Sequence, residues 1–189
     1  MVSILELWLP ILLSSVMVFI LSSIIHMVLP YHRTDYKKLP SEDSLLDTLR
    51  KANIPPGDYM FPFCSDNKER NSQEYKDKLE KGPAGIVTIF PAGTNFMGSS
   101  LVMWFIYTVI VGIFAAYVAG RALPAGTDYL AVFRFAGVTS FVGYTLALLQ
   151  DNIWYKKSWA TTIKNVIDGL IYALFTGGIF GWLWPGITS

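Results

Sequence analysis

Few side chains in this sequence combine reactive chemistry with a setting in which that chemistry would matter. His26 is the one strongly polar member of an apolar stretch over residues 7–29, and Lys164 and Asp168 stand within another apolar stretch near the C-terminal end. A carboxylate that orients a histidine recurs in proton handling and in the tuning of metal-ligating imidazoles, and it is also an ordinary structural hydrogen bond. Counting along helices puts His26 and Asp168 at one level, with Gln150 and Asn165 close to it. Lys164, one turn before Asp168, offers a second way to neutralise that carboxylate.

A second pair is expected at the opposite level. Arg134 lies roughly 7 Å along its helix from Tyr129, and Glu6 begins the first apolar stretch at a similar height. The reading is an Arg134–Glu6 ion pair within the bundle. Snorkelling of Arg134 to lipid head groups and an anion site on Arg134 are the alternatives.

Other chemistries lack their residues. The chain has two histidines, and the spacing of His26 and His32 puts them on different faces of a continuous helix, so a bis-histidine haem site within the first helix is not expected. Neither a His-Glu-x-x-His pattern nor a Ser-His-Asp set at matched depth occurs, which argues against zinc and di-iron chemistry. The segment Pro91-Ala-Gly-Thr-Asn-Phe-Met-Gly has glycines without the lysine of a phosphate loop. Cys64, the single cysteine, excludes an internal disulfide and reads as a half-buried thiol beside Phe61 and Phe63. Neither a metal nor a cofactor is expected.

The elements that must hold these residues follow from composition. The chain of 189 residues is 52% hydrophobic and 15% charged, against about 25% charged in soluble domains. Residues 31–98 carry 20 of the 29 acidic and basic side chains, so the flanking parts belong in a different solvent. Residues 7–29, 101–120, 129–150 and 158–184 each suit a spanning helix, since about 20 residues cross a hydrocarbon core. Pro124 and Gly126 turn the chain between the second and third, and Pro185 and Gly186 close the fourth. The start, with Glu6 and no basic residue, does not read as a cleaved signal peptide.

Orientation follows from lysine and arginine near the span ends. Arg33, Lys37 and Lys38 follow the first span, and Lys156 and Lys157 lie between the third and fourth with Lys164 a turn later, whereas Arg121 is alone in the other turn. Both termini are therefore expected outside and residues 31–98 inside. Trp8, Trp104, Tyr107, Tyr129, Trp154, Tyr155, Trp159, Trp182 and Trp184 read as interface belts. Within the insertion, Ser41-Glu42-Asp43 opens a helix, residues 72–81 form a second one ending at Gly82, and residues 59–64 and 85–90 suit a two-stranded ribbon. Met60, Phe61 and Phe63 are the expected docking side chains of this insertion.

Small residues recur at every fourth position in two spans. Thr108, Gly112, Ala116 and Gly120 line the second, and Gly169, Ala173, Gly177 and Gly181 line the fourth. In lipid such ladders allow the close backbone approach that holds helices together. The expectation is that the second and fourth spans pack on each other; a ladder that meets another subunit is the alternative. Ala136, Ser140, Gly143 and Ala147 make a weaker ladder in the third span.

The fold class expected is an all-α membrane protein, a four-transmembrane-helix bundle with a small cytoplasmic α+β insertion between helices one and two. Localisation in a bacterial inner membrane is the accompanying expectation. Its polar groups are few and dispersed over two levels, which favours a non-enzymatic structural or accessory subunit that assembles with other membrane proteins or with itself. A small homo-oligomeric channel or transporter, gated near Arg134 or Asp168, and a haem- or pigment-binding subunit ligated through His26 are the competing readings. The net charge of +1 gives no footprint for nucleic acid.

Overall fold

The computed structural model describes residues 1–186, and two compact units emerge from it. The larger comprises Met1–Lys37 and the chain from Phe96 onward; the smaller is Lys38–Asn95. In chain order the helices are α1 (Trp8–Ser23), α2 (Glu42–Lys51), α3 (Asn67–Arg70), α4 (Gln73–Lys81), α5 (Met97–Ala122), α6 (Tyr129–Thr145), α7 (Leu148–Tyr155) and α8 (Trp159–Trp182). The strands are β1 (Gly57–Phe61) and β2 (Gly85–Ile89).

Four continuous helical stretches in the larger unit are long and apolar enough to cross a membrane: Leu5–Val28, Met97–Ala122, Tyr129–Tyr155 and Trp159–Trp182. They form a ring in which α1 packs on α5 and α8, and α6 packs on α5 and, most extensively, on α8. The third stretch is jointed at Leu146 and Ala147, where 3-10-type bonds from Leu149 N–H to Leu146 O and from Gln150 N–H to Ala147 O replace the α pattern.

The ladders are used differently from the expectation. α5 and α8 lie across the ring from each other, so each ladder meets a neighbour. Gly112 faces the backbone and side chain of Ile11, and Gly120 approaches Val2, whose N–H donates to Gly120 O at 2.9 Å. On α8, Gly169 meets Thr145 and Tyr144, Gly177 meets Phe133 O and Gly137, and Gly181 meets Tyr129. Ladder pairing between the second and fourth spans is thereby corrected. A small-residue stripe sets how close a partner comes without choosing the partner.

Two apolar clusters fill the ring. Val2, Leu7, Ile11, Ala115, Ala116, Val132, Ala136 and Phe180 close one end; Val18, Ile25, Val111, Tyr144 and Tyr172 lie toward the other. Ser14, Ser15, Ser140 and Thr176 are buried between them, and each hydroxyl donates to a carbonyl of its own helix, so these four hydroxyls are satisfied. Trp104 belongs to this packing rather than to an interface belt: its indole N–H donates to Ser22 Oγ at 2.8 Å and its ring meets Tyr144 and Tyr172.

In the smaller unit β1 and β2 pair antiparallel, Gly57 with Ile89 through Phe61 with Gly85. The Ser72 hydroxyl accepts from Tyr75 N–H and caps α4, and Gly82 leaves it with φ +58°. Ser41 precedes α2 in a left-handed conformation and its side chain caps nothing, against expectation. α3 is an element the sequence reading passed over. Asp66 caps it by accepting from Glu69 N–H while the Glu69 carboxylate returns to Ser65 N–H and Oγ, a reciprocal box legible in Ser65-Asp66 and Glu69. Those two bonds hold the Glu69 carboxyl below its usual range. Met60, Phe61 and Phe63 are exposed on this unit, at 52%, 41% and 69%.

Candidate functional site

The polar centre of the larger unit is built where the first long helix ends. Proline cannot donate a backbone hydrogen bond and disfavours helical geometry at the residue before it. Leu29, preceding Pro30, is accordingly extended (φ −76°, ψ 142°). Upstream, residues Ile24–Val28 widen into a π turn closed by Leu29 N–H to Ile24 O at 3.1 Å. Downstream, Pro30–His32 coils into a 3-10 turn. The chain therefore doubles back, and His32 comes to lie on His26 with ring centroids 4.1 Å apart and planes at 28°.

This reversal corrects the expectation that the two histidines occupy different faces. It also changes which histidine Asp168 holds. His32 Nε2 lies 2.8 Å from Asp168 Oδ2, whereas His26 Nε2 is 3.8 Å from the same oxygen, beyond a hydrogen bond. The other ring nitrogen of His32, Nδ1, is 2.6 Å from Asp35 Oδ2. Lys164 turns away from Asp168 and donates to Asp35 Oδ1 at 2.7 Å, to Thr34 Oγ1 at 2.8 Å and to Tyr31 O at 2.9 Å. The result is a chain of contacts, Lys164 to Asp35 to His32 to Asp168, with His26 stacked beside it.

Charge and burial agree with this order. Asp168 and Asp35 have 3% and 8% of their side chains exposed, and His32 has 11%. Unpaired carboxylates this buried would be costly. Each His32 ring nitrogen faces one of these carboxylates, and Lys164 sits on the other oxygen of Asp35. Burial alone would raise the Asp35 carboxyl, but the hydrogen bonds from Lys164 and His32 outweigh it and hold it below the ordinary carboxylate range.

His26, whose side chain is 45% exposed, opens the cluster to a cleft of about 190 Å³. Trp104, Tyr144, Asn165, Asp168 and Tyr172 also line it. The Tyr172 hydroxyl is buried and has no hydrogen-bond partner among the described residues. A cleft with a carboxylate, an available imidazole and an unsatisfied phenol can bind a cation or a hydrogen-bonding ligand. Its size admits only a small one. A haem sandwiched between His26 and His32 does not fit, because the two rings already stack on each other.

The Arg134–Glu6 pair does not form. The Glu6 carboxylate accepts from Ser3 N–H at 2.7 Å and from Ser3 Oγ at 2.6 Å, closing the turn before α1. Arg134 is exposed and borders an apolar cleft of about 220 Å³ with Phe133, Gly137, Phe141, Leu170 and Leu174. Equal height along two helices does not put them face to face; Glu6 turns to the nearer partner.

Of the site residues expected from sequence, His26, Lys164 and Asp168 converge, and Glu6 and Arg134 stay apart. Asp35, the residue that joins Lys164 to His32, was missed. Its signal was the run Pro30-Tyr-His-Arg-Thr-Asp35, a helix-breaking proline followed by a histidine and an aspartate spaced by one turn. No family model, curated protein or solved structure matches the chain.

Proposed function

We propose that this protein is a non-enzymatic, multi-pass subunit of a bacterial plasma membrane that serves the assembly of a membrane complex, with both termini outside and Lys38–Asn95 in the cytoplasm. The observation that carries this reading is the sealed interior of the ring. The cluster of Val2, Leu7, Ile11, Ala115, Ala116, Val132, Ala136 and Phe180 blocks one end, and six of these residues have no exposed surface. An ion inside one protomer would have to cross that layer without a polar group, which opposes a conduction path.

Both ladders are consumed within the protomer, so assembly falls to other surfaces. Met60, Phe61 and Phe63 give the smaller unit an apolar patch that suits a partner subunit. The orientation rests on Arg33, Lys37, Lys38, Lys156 and Lys157, which gather at the ends of the spans on the His26 side.

The test is native mass spectrometry of the protein extracted gently from its own membrane. Co-purification of different subunits in fixed ratio supports the reading. A closed homo-oligomer alone overturns it and favours a channel formed between protomers. Cys64 tests the orientation: a membrane-impermeant maleimide should label it only after the cells are opened, and labelling of intact cells reverses the topology.

A further inference from the structure

We propose that His26 Nε2, His32 Nε2 and the Asp168 carboxylate form a binding site for a first-row transition-metal dication of the zinc class. The three ligand atoms lie within 4.8 Å of one another. Tetrahedral coordination with bonds of about 2.0–2.1 Å places ligand atoms about 3.3 Å apart. The separations of 2.8 Å and 3.8 Å from Asp168 Oδ2 bracket that value, and the two stacked imidazoles must tilt apart to aim both nitrogens at one ion.

Three features beyond proximity point the same way. Metal-ligating histidines characteristically give their second ring N–H to a carboxylate, which fixes the tautomer and the ring. His32 has this arrangement, with Asp35 at 2.6 Å on Nδ1 and Lys164 balancing Asp35 on its far side. A hydrogen-bonded structural clasp accounts for Lys164, Asp35, His32 and Asp168, but it leaves two neighbours unused. Those are His26, stacked against His32 with its Nε2 toward Asp168, and the buried Tyr172 hydroxyl, which lacks a partner in the same cleft. A metal employs the first as a ligand, and a water on its open position offers the second an acceptor.

The donor set selects the ion class. Two imidazoles and one carboxylate suit zinc, cobalt, nickel or ferrous iron, whereas calcium and magnesium take oxygen ligands and copper(I) takes sulfur. Binding displaces the hydrogen that His32 Nε2 shares with Asp168, and that proton leaves to bulk water. The absence of a contiguous zinc pattern is explained by topology, because His32 and Asp168 are 136 residues apart and meet only after the chain reverses at Pro30.

The experiment uses the full-length protein in detergent, stripped with a chelator and titrated with Zn²⁺ by calorimetry and with Co²⁺ by visible absorption. One ion per chain is expected, with the intense cobalt d–d bands of a four-coordinate site. Asp35→Asn should weaken binding about 10- to 100-fold, and His26→Ala should weaken it further and remove the four-coordinate spectrum. His26 is half exposed and makes no hydrogen bond with Asp168, so its variant should fold even if Asp168→Asn does not. Saturable binding that His26→Ala leaves unchanged, or no saturable binding by the parent protein, overturns the site.

Discussion

Replacing Gly177 with alanine probes a backbone-to-backbone helix contact in the ring. A Cβ built on Gly177 would lie 2.7 Å from Phe133 O and 3.1 Å from Gly137 Cα, both backbone atoms of α6. Backbone cannot rotate aside as a side chain can, so α6 and α8 must separate locally by about half an ångström or more. Overpacking of this kind costs about 1–3 kcal/mol. The same substitution improves helix propensity by up to about 1 kcal/mol, which leaves a net loss of up to about 2 kcal/mol. Gly98→Ala is the matched comparison, because a Cβ there meets nothing within 4 Å and only the propensity gain remains. Reversible unfolding in mixed micelles should rank the proteins Gly98→Ala, parent, Gly177→Ala in falling stability. A Gly177→Ala protein as stable as Gly98→Ala would refute the close approach of α6 and α8.

Three further outcomes follow from the same geometry. Lys164→Met strips the buried Asp35 carboxylate of its cation and should destabilise the protein by about 3 kcal/mol, whereas Lys156→Met, remote from Asp35, should leave a melting curve unmoved. Glu6→Gln and Arg134→Gln should act additively in a double-mutant cycle, and a coupling above about 0.5 kcal/mol would restore the ion pair between them. The hydrogen bonds to Glu69 favour its ionised form, so their contribution is complete above the unfolded carboxyl's pKa and is lost as pH falls through the lowered folded value. NMR titration should accordingly find Glu69 with a lower midpoint in the parent protein than in a Ser65→Ala variant, and an equal or higher midpoint would contradict the α3 box.

The long helices were legible because apolar runs carry their own evidence. All four begin and end within five residues of the stretches read from sequence, the largest difference being the extension of the third to Tyr155. The β1–β2 ribbon was legible because prolines and glycines bounded two short apolar runs. Helix pairing was not, since Gly112 and Gly177 advertise a close approach without naming Ile11 or Phe133 as its object. The polar centre failed for a different reason. Periodicity places residues only while a helix continues, and Pro30 ends the helix between the two histidines, so His32 had to be placed by a turn rather than by a helical wheel.

That turn also explains why the charged groups can sit together at a helix end. An uninterrupted α1 would carry His32 onward along its axis, away from Asp168. The π turn over Ile24–Val28 and the extended Leu29 instead bring His32 and Asp35 within hydrogen-bonding reach of Asp168 and Lys164 on α8. Pro30→Ala removes the bias that keeps Leu29 extended, so part of the population should continue α1 and withdraw His32 from Asp168. The metal site and the clasp share this dependence but diverge in readout. Loss of the turn should lower thermal stability with or without metal, whereas His26→Ala should lower it only when metal is present. A Pro30→Ala protein that keeps its stability and its metal affinity would mean that His32 and Asp35 hold the reversal by themselves, through the bonds they make to Asp168 and Lys164.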